Sequence, residues 1–144
     1  MLYHSIPGLF KILMEETQLD RMYDIFKISA STYWDTHYNF GKSQQKRSKT
    51  LTKPFIDLLL INTIIPLKFT YNKHIGKDSQ EDILDLITKL SPEKNTIVQK
   101  YDSLKPKALT ALQSQALVQL KNEYCTKFKC LNCGVGNWLI GRKS

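Results

Sequence analysis

Residues 54–72 read PFIDLLLINTIIPLKFTYN, and the reading of this stretch decides the fold. Its apolar side chains surround the axis instead of forming one stripe, as expected of a helix enclosed by the rest of its domain. Thr52 followed by Pro54 supplies a cap and an early-turn proline, the usual way such a helix opens. Pro66 lacks a backbone donor, and an interior proline costs about 3 kcal/mol unless the helix bends, so it should kink or end the helix. Asp57, Asn62 and Pro66 interrupt the apolar run, which is shorter than the ~20 residues a bilayer crossing requires. The stretch is therefore read as a buried central helix, with no membrane as partner.

Upstream, Leu9, Phe10 and Leu13, then Leu19, Met22, Tyr23 and Phe26, recur three and four apart and so share helix faces. Thr17 with Asp20 three positions on resembles a helix start. These signals predict helices over residues 6–16 and 18–34. Residues 38–54 carry Gly41 and no apolar period, the pattern of a loop. Downstream, Gly76 ends one segment, and Asp78 or Ser79 caps the next, whose inward residues are Ile83, Leu84, Leu86, Ile87 and Leu90. Ser91 and Pro92 open a fifth helix, and ALQSQALVQLKNEYC, residues 111–125, forms a sixth. No alternating run argues for a strand. The prediction is an all-α single domain over residues 1–144, with about six helices and a cysteine-bearing knuckle in its tail, 125–144.

The chain carries 21 Lys and Arg against 13 Asp and Glu, a net charge of +8, which makes nucleic acid or another polyanion a natural partner. The N-terminus lacks the basic and uninterrupted apolar regions of a secretory signal, and acids arrive at Glu15 and Glu16. All three cysteines sit within nine residues, Cys125, Cys130 and Cys133, so they form no secreted disulfide framework. A cytoplasmic location is expected.

Four stretches together resemble a known family: YWDTHYNFGK (33–42), IDLLLINTIIPLKFTYNKH (56–74), LSPEKNTIVQKY (90–101) and SQALVQLKNEYCTKFKCLNCGVGN (114–137). In this order they are similar to the C-terminal half of an uncharacterised bacterial family, domain of unknown function 2851. The resemblance implies a longer protein whose N-terminal half carries acidic motifs faintly like those of restriction-endonuclease-like nucleases. Those motifs are not in this sequence. The chain would then be the helical half, working beside a nuclease-like half, and its first helices would favour a homodimer or docking to that half.

The cysteine spacing is C-x4-C-x2-C. Two intervening residues let a chain turn and aim both thiolates at one ion, and Cys125 at a helix end adds a third ligand. Lys127 and Lys129 favour thiolate over thiol, and Gly134 and Gly136 allow the close backbone approach of a knuckle. Plant-type ferredoxins show the same spacing with a distant fourth cysteine. The expected cofactor is zinc or an iron–sulfur cluster. The fourth ligand is open among His4, His37, His74, a carboxylate, water or another chain. Buried structural thiols and a redox pair are the competing readings, the latter without its usual βαβ context.

Two further groups carry chemistry. Lys42, Lys46, Arg47, Lys49 and Lys53 give five cations and no acid, a phosphate-binding composition, and Tyr38 and Phe40 just before them are placed to stack on bases. Trp34, Asp35, His37 and Tyr38 form a candidate pocket in which Asp35 or His37 performs acid–base work. Against it, the aromatics read as core and His37 as a cap at a helix C-terminus. No phosphate-binding glycine loop, nucleophile elbow, zinc-protease helix or calcium loop is present. The leading reading is a non-catalytic module, metal-binding and nucleic-acid-associated. The alternative is a small enzyme or redox protein.

Overall fold

A computed structural model describes residues 7–104 and 107–141, so His4 lies outside the described residues. The chain falls into two compact units, Met1–Leu86 and Ile87–Ser144. Both are predominantly helical, as the sequence predicts.

The first unit opens with α1 (Leu9–Glu15) and α2 (Leu19–Ile25). The start of α2 is not set by Thr17: the Glu16 carboxylate accepts from the amides of Thr17 (3.0 Å) and Gln18 (2.8 Å). The helix predicted to run on to residue 34 stops at Ile25, because Ile28–Thr32 are β-branched or hydroxyl-bearing around Ala30 and favour extended chain. Ala30 donates to Lys49 O (2.8 Å) and Leu51 to Ile28 O (3.3 Å), so this extended piece pairs with the end of the basic loop. A single turn, α3 (Thr32–Asp35), then leads into a hairpin of β1 (His37–Asn39) and β2 (Lys42–Ser43). The hairpin corrects the expectation of an unstructured loop. Gly41, at φ +77°, makes its turn possible.

The central helix, α4, runs from Lys53 to His74. It passes through Pro66 because the preceding turn, Leu60–Ile64, is a π-helix. There Ile65 donates to Leu60 O, five residues back, so the ladder has slipped by one before the proline's missing N–H would be needed. The widened turn also relieves the crowding of the pyrrolidine ring against the turn before it. Asn62 Nδ2 donates to Leu58 O (3.1 Å) within the same region. By length and composition α4 would suffice to cross a membrane, and it is longer than the apolar run suggests. Its buried positions include Asp57, Lys68 and Asn72 beside Ile56, Leu60, Ile61, Ile64 and Ile65.

The polar residues of α4 are tied to the first two helices. Lys68, 1% exposed, sends its ammonium to Leu13 O (3.3 Å), Met14 O (2.8 Å) and Glu16 O (2.6 Å). Asp57 accepts from the Tyr23 hydroxyl at 2.5 Å. Burial, then the bond to Asp57 and its charge, push the Tyr23 phenol up, so it stays a donor. Tyr23→Phe leaves a buried carboxylate short of a donor and should cost about 2 kcal/mol, measured by denaturant unfolding at neutral pH. Beyond α4, α5 (Gln80–Lys89) starts where expected, with Gln80 donating to Asp78 Oδ1 (3.3 Å) and Ile83 and Leu86 buried.

In the second unit, α6 (Thr96–Asp102) begins four residues later than Ser91 and Pro92 suggest. Asn95 is its cap, accepting from Val98 N (2.9 Å). Glu93 is held away from the helix, its amide donating to Ser114 Oγ (3.0 Å) and its carboxylate accepting from Gln115 Nε2 (2.6 Å). Helix α7 (Ala111–Gln119), capped by Thr110, packs on α6 and continues as a π turn, Leu120–Cys125. A 3₁₀ turn (Cys130–Asn132) and α8 (Gly134–Gly141) complete the knuckle.

Candidate functional site

The three cysteines line one pocket of the second unit. Cys125 closes the π turn, Cys130 begins the 3₁₀ turn, and Cys133 precedes α8 with its amide donating to Cys130 O (3.2 Å). The chain reverses between Cys125 and Cys130, with Phe128 donating to Cys125 O (3.2 Å) and Lys129 to Tyr124 O (2.9 Å). Phe128 takes a left-handed backbone (φ +53°), unusual for a residue with a bulky side chain. Gly136 fixes the other side of the knuckle. A Cβ there would lie 2.2 Å from Cys130 O and 2.9 Å from Cys130 C, so only glycine lets α8 approach this closely.

The pocket has a volume of ≈ 590 Å³. Its wall is mainly apolar: Leu104 after α6, Leu117 and Leu120 of α7 and its π turn, and Val135 and Leu139 of α8. Tyr101 and Tyr124 complete it. The Tyr101 hydroxyl lies 3.4 Å from Cys125 Sγ. That hydrogen bond first, then burial, then the charges of Cys125 and Cys133, push the Tyr101 phenol up to about 12. Cys125 and Cys130 are exposed and Cys133 is buried; all three are free thiols. Lys127 is engaged by Glu123 at 2.5 Å, which holds that carboxylate below its usual range. Among the described residues, no group of three or more His, Cys, Asp and Glu side chains is gathered to hold a metal ion. Tyr101 carried no sequence signal for this role, since its spacing from Ile97 and Val98 reads as a core position.

In the first unit the basic loop is an ordered surface. Main-chain bonds from Gln44 to Thr36 O (2.7 Å) and from Arg47 to Asp35 O (2.7 Å) pin it to the residues before the hairpin. Lys42, Lys46, Arg47 and Lys53 are exposed. Lys49 stands over the Tyr38 ring at 3.5 Å and donates to His37 O, while Lys53 stands 4.9 Å from the Tyr23 ring. Phe40 at the hairpin turn is 81% exposed and Tyr38 60%, so both rings are open to a partner.

Trp34, Asp35, His37 and Tyr38 serve the hairpin. The His37 ring stacks on Tyr33 at 4.1 Å, and its Nδ1 lies 2.9 Å from Tyr33 O and from Thr36 Oγ1. The carbonyl partner requires a hydrogen on Nδ1. Trp34 meets Tyr33 and Phe40 edge-on at 5.1 and 5.2 Å. Asp35 contributes its main-chain oxygen to the loop. These contacts make an aromatic base for the basic loop.

A family model described as Protein of unknown function (DUF2851) matches residues 1–96, a span that includes the hairpin and the basic loop and ends before the cysteines. No curated protein and no solved structure matches the chain.

Proposed function

We propose that this chain, which belongs to the DUF2851 family of proteins of unknown function, is a non-catalytic module that binds nucleic acid through its hairpin and basic loop. The observation that carries this reading is the pairing of exposed cations with exposed rings on one pinned segment. Lys42, Lys46 and Arg47 enter no ion pair among the described residues, so they are available to phosphates. Phe40 and Tyr38 supply flat faces for bases, and stacking of this kind favours single strands. Because the backbone is already ordered, association costs chiefly side-chain freedom.

The test is retention on single-stranded DNA or RNA as a function of salt. The variant K42A/K46A/R47A should bind more weakly, with its log–log salt slope reduced by roughly 2 for three lost phosphate contacts. An unchanged slope would remove the loop as the contact. Phe40→Ala should weaken binding with the slope intact.

A second reading concerns the other unit: a metal centre held by Cys125, Cys130 and Cys133. It is favoured by one observation, that all three cysteines are among the residues lining one pocket. Metal analysis of the purified chain, with thiol titration of the native protein, tests it.

A further inference from the structure

We infer that the second unit binds a free aliphatic carboxylate, a fatty-acid anion, with its chain in the pocket behind the cysteines and its head at Lys100 and Lys121. Neither reading proposed above is needed for this. A second pocket, ≈ 250 Å³, adjoins the one of ≈ 590 Å³, since Tyr101 and Leu104 line both. The two differ in chemistry. The larger is walled by Leu117 and Leu120 on one side and by Val135 and Leu139 on the other. The smaller carries Lys100 and Lys121. No Asp or Glu lines either pocket, and the two lysines enter no ion pair among the described residues.

Two helices set this division. Ile97, Lys100, Tyr101 and Leu104 recur three and four apart, so they share one face of α6 and of the turn after it. In the π turn beyond α7, Leu120 and Tyr124 line the larger pocket and Lys121 the smaller. Turns of this kind are frequent at functional sites. An aliphatic chain matches the leucine wall, because it asks for no hydrogen bond and gains by leaving water. A carboxylate matches the mouth. The two ammonium groups supply opposite charge, and the Tyr101 hydroxyl, 3.4 Å from Cys125 Sγ, can accept the thiol hydrogen and donate its own. The cysteines suit such a wall as small, weakly polar groups. A neutral apolar ligand would leave the cations unused, and a bare anion would leave the leucines in water.

The experiment is titration calorimetry on the full chain, stripped of metal and kept reduced, with octanoate, decanoate and dodecanoate below their micelle concentrations. One carboxylate should bind per chain, with affinity rising by up to about fourfold per added methylene. K100A/K121A should weaken decanoate binding roughly tenfold at low salt and leave binding of the neutral decanol unchanged. Leu139→Trp, which fills the pocket from its half-exposed rim, should abolish binding of both while far-ultraviolet dichroism stays the same. No binding of any acid, or binding that both variants leave intact, would overturn the site. Equal affinity for decanoate and decanol would overturn the role given to the lysines. Two other occupants are distinguishable and would each overturn the inference. One is a second copy, seen as a dimer that Leu139→Trp breaks and decanoate does not. The other is a lipid surface, seen as retention on phosphatidylglycerol vesicles by a chain that takes up no free acid.

Discussion

Gly136→Ala will unfold the knuckle or open it. The added methyl meets the main chain of Cys130 at 2.2, 2.9 and 3.1 Å, and no side-chain rotation relieves a backbone clash. Either α8 moves away from the 3₁₀ turn or that turn is displaced. Overpacking of a tight interface costs about 1–3 kcal/mol, and a clash this close, with rigid atoms on both sides, belongs at or above the top of that range. The loss should appear in thermal unfolding of the second unit. On the metal reading proposed for the cysteines, the same variant should also take up much less metal, because Cys130 and Cys133 lie on the displaced turn. Gly134→Ala is the matched control. A Cβ there meets nothing within 4 Å, so its effect should be small. Equal losses in the two variants would mean that helix propensity, not the close approach, governs the knuckle.

Lys68→Met will destabilise the first unit by about 3 kcal/mol. The last carbonyls of a helix have no partner within it. In α1 that need is met by a cation from α4, which takes Leu13 O and Met14 O and reaches Glu16 O beyond. A positive charge also suits the negative end of the helix dipole. Methionine fills a similar volume but leaves these oxygens buried and unmet. Denaturant unfolding near neutral pH measures the loss, and retained stability in the variant would show that water replaces the ammonium. Burial pulls the Lys68 ammonium below its ordinary value of 10.5. The native state therefore holds that proton less firmly than the unfolded chain. Between the native value and 10.5, stability rises with pH and is lost again as pH falls through the native value. The gap between the native protein and the variant should widen accordingly on the alkaline side.

Much of the helical fold was legible because its signals are local. Periodic apolar residues marked α1, α2 and α5, and the evenly apolar run at 54–72 marked the central helix. The misplacements have physical reasons that local signals do not carry. Pro66 read as a kink or an end because the π turn that accommodates it has no sequence mark. Ser91-Pro92 is a sound opening on paper, but Ser114 and Gln115, more than twenty residues away, hold Glu93 outside the helix. The hairpin escaped notice because strands of three and two residues are too short to show alternation. They are tied instead by Tyr33, whose ring stacks on His37 and whose hydroxyl accepts from the Gly41 amide, a contact between residues that read as a helix end and a loop.

The candidate sites divide the same way. The five cations and their neighbouring aromatics were visible as composition, and the structure adds that their backbone is pinned. The cysteines were visible as spacing. What spacing does not carry is the space between them: the pocket is made by Tyr101, Leu117, Leu120 and Tyr124, each of which reads as ordinary core.

The two π turns have a consequence for how relatives of this chain are compared. A π turn is a helix carrying one more residue than its α-helical ladder has places for. A protein one residue shorter at Leu60–Ile64 would keep the same helix and lose only the bulge, and the half beyond it would keep its facing while its numbering slips by one. Length differences between relatives are therefore to be sought inside the two long helices, at Leu60–Ile64 and Leu120–Cys125, as well as in loops. An alignment that forbids gaps in helices would set Lys68 and Cys125 against the wrong partners.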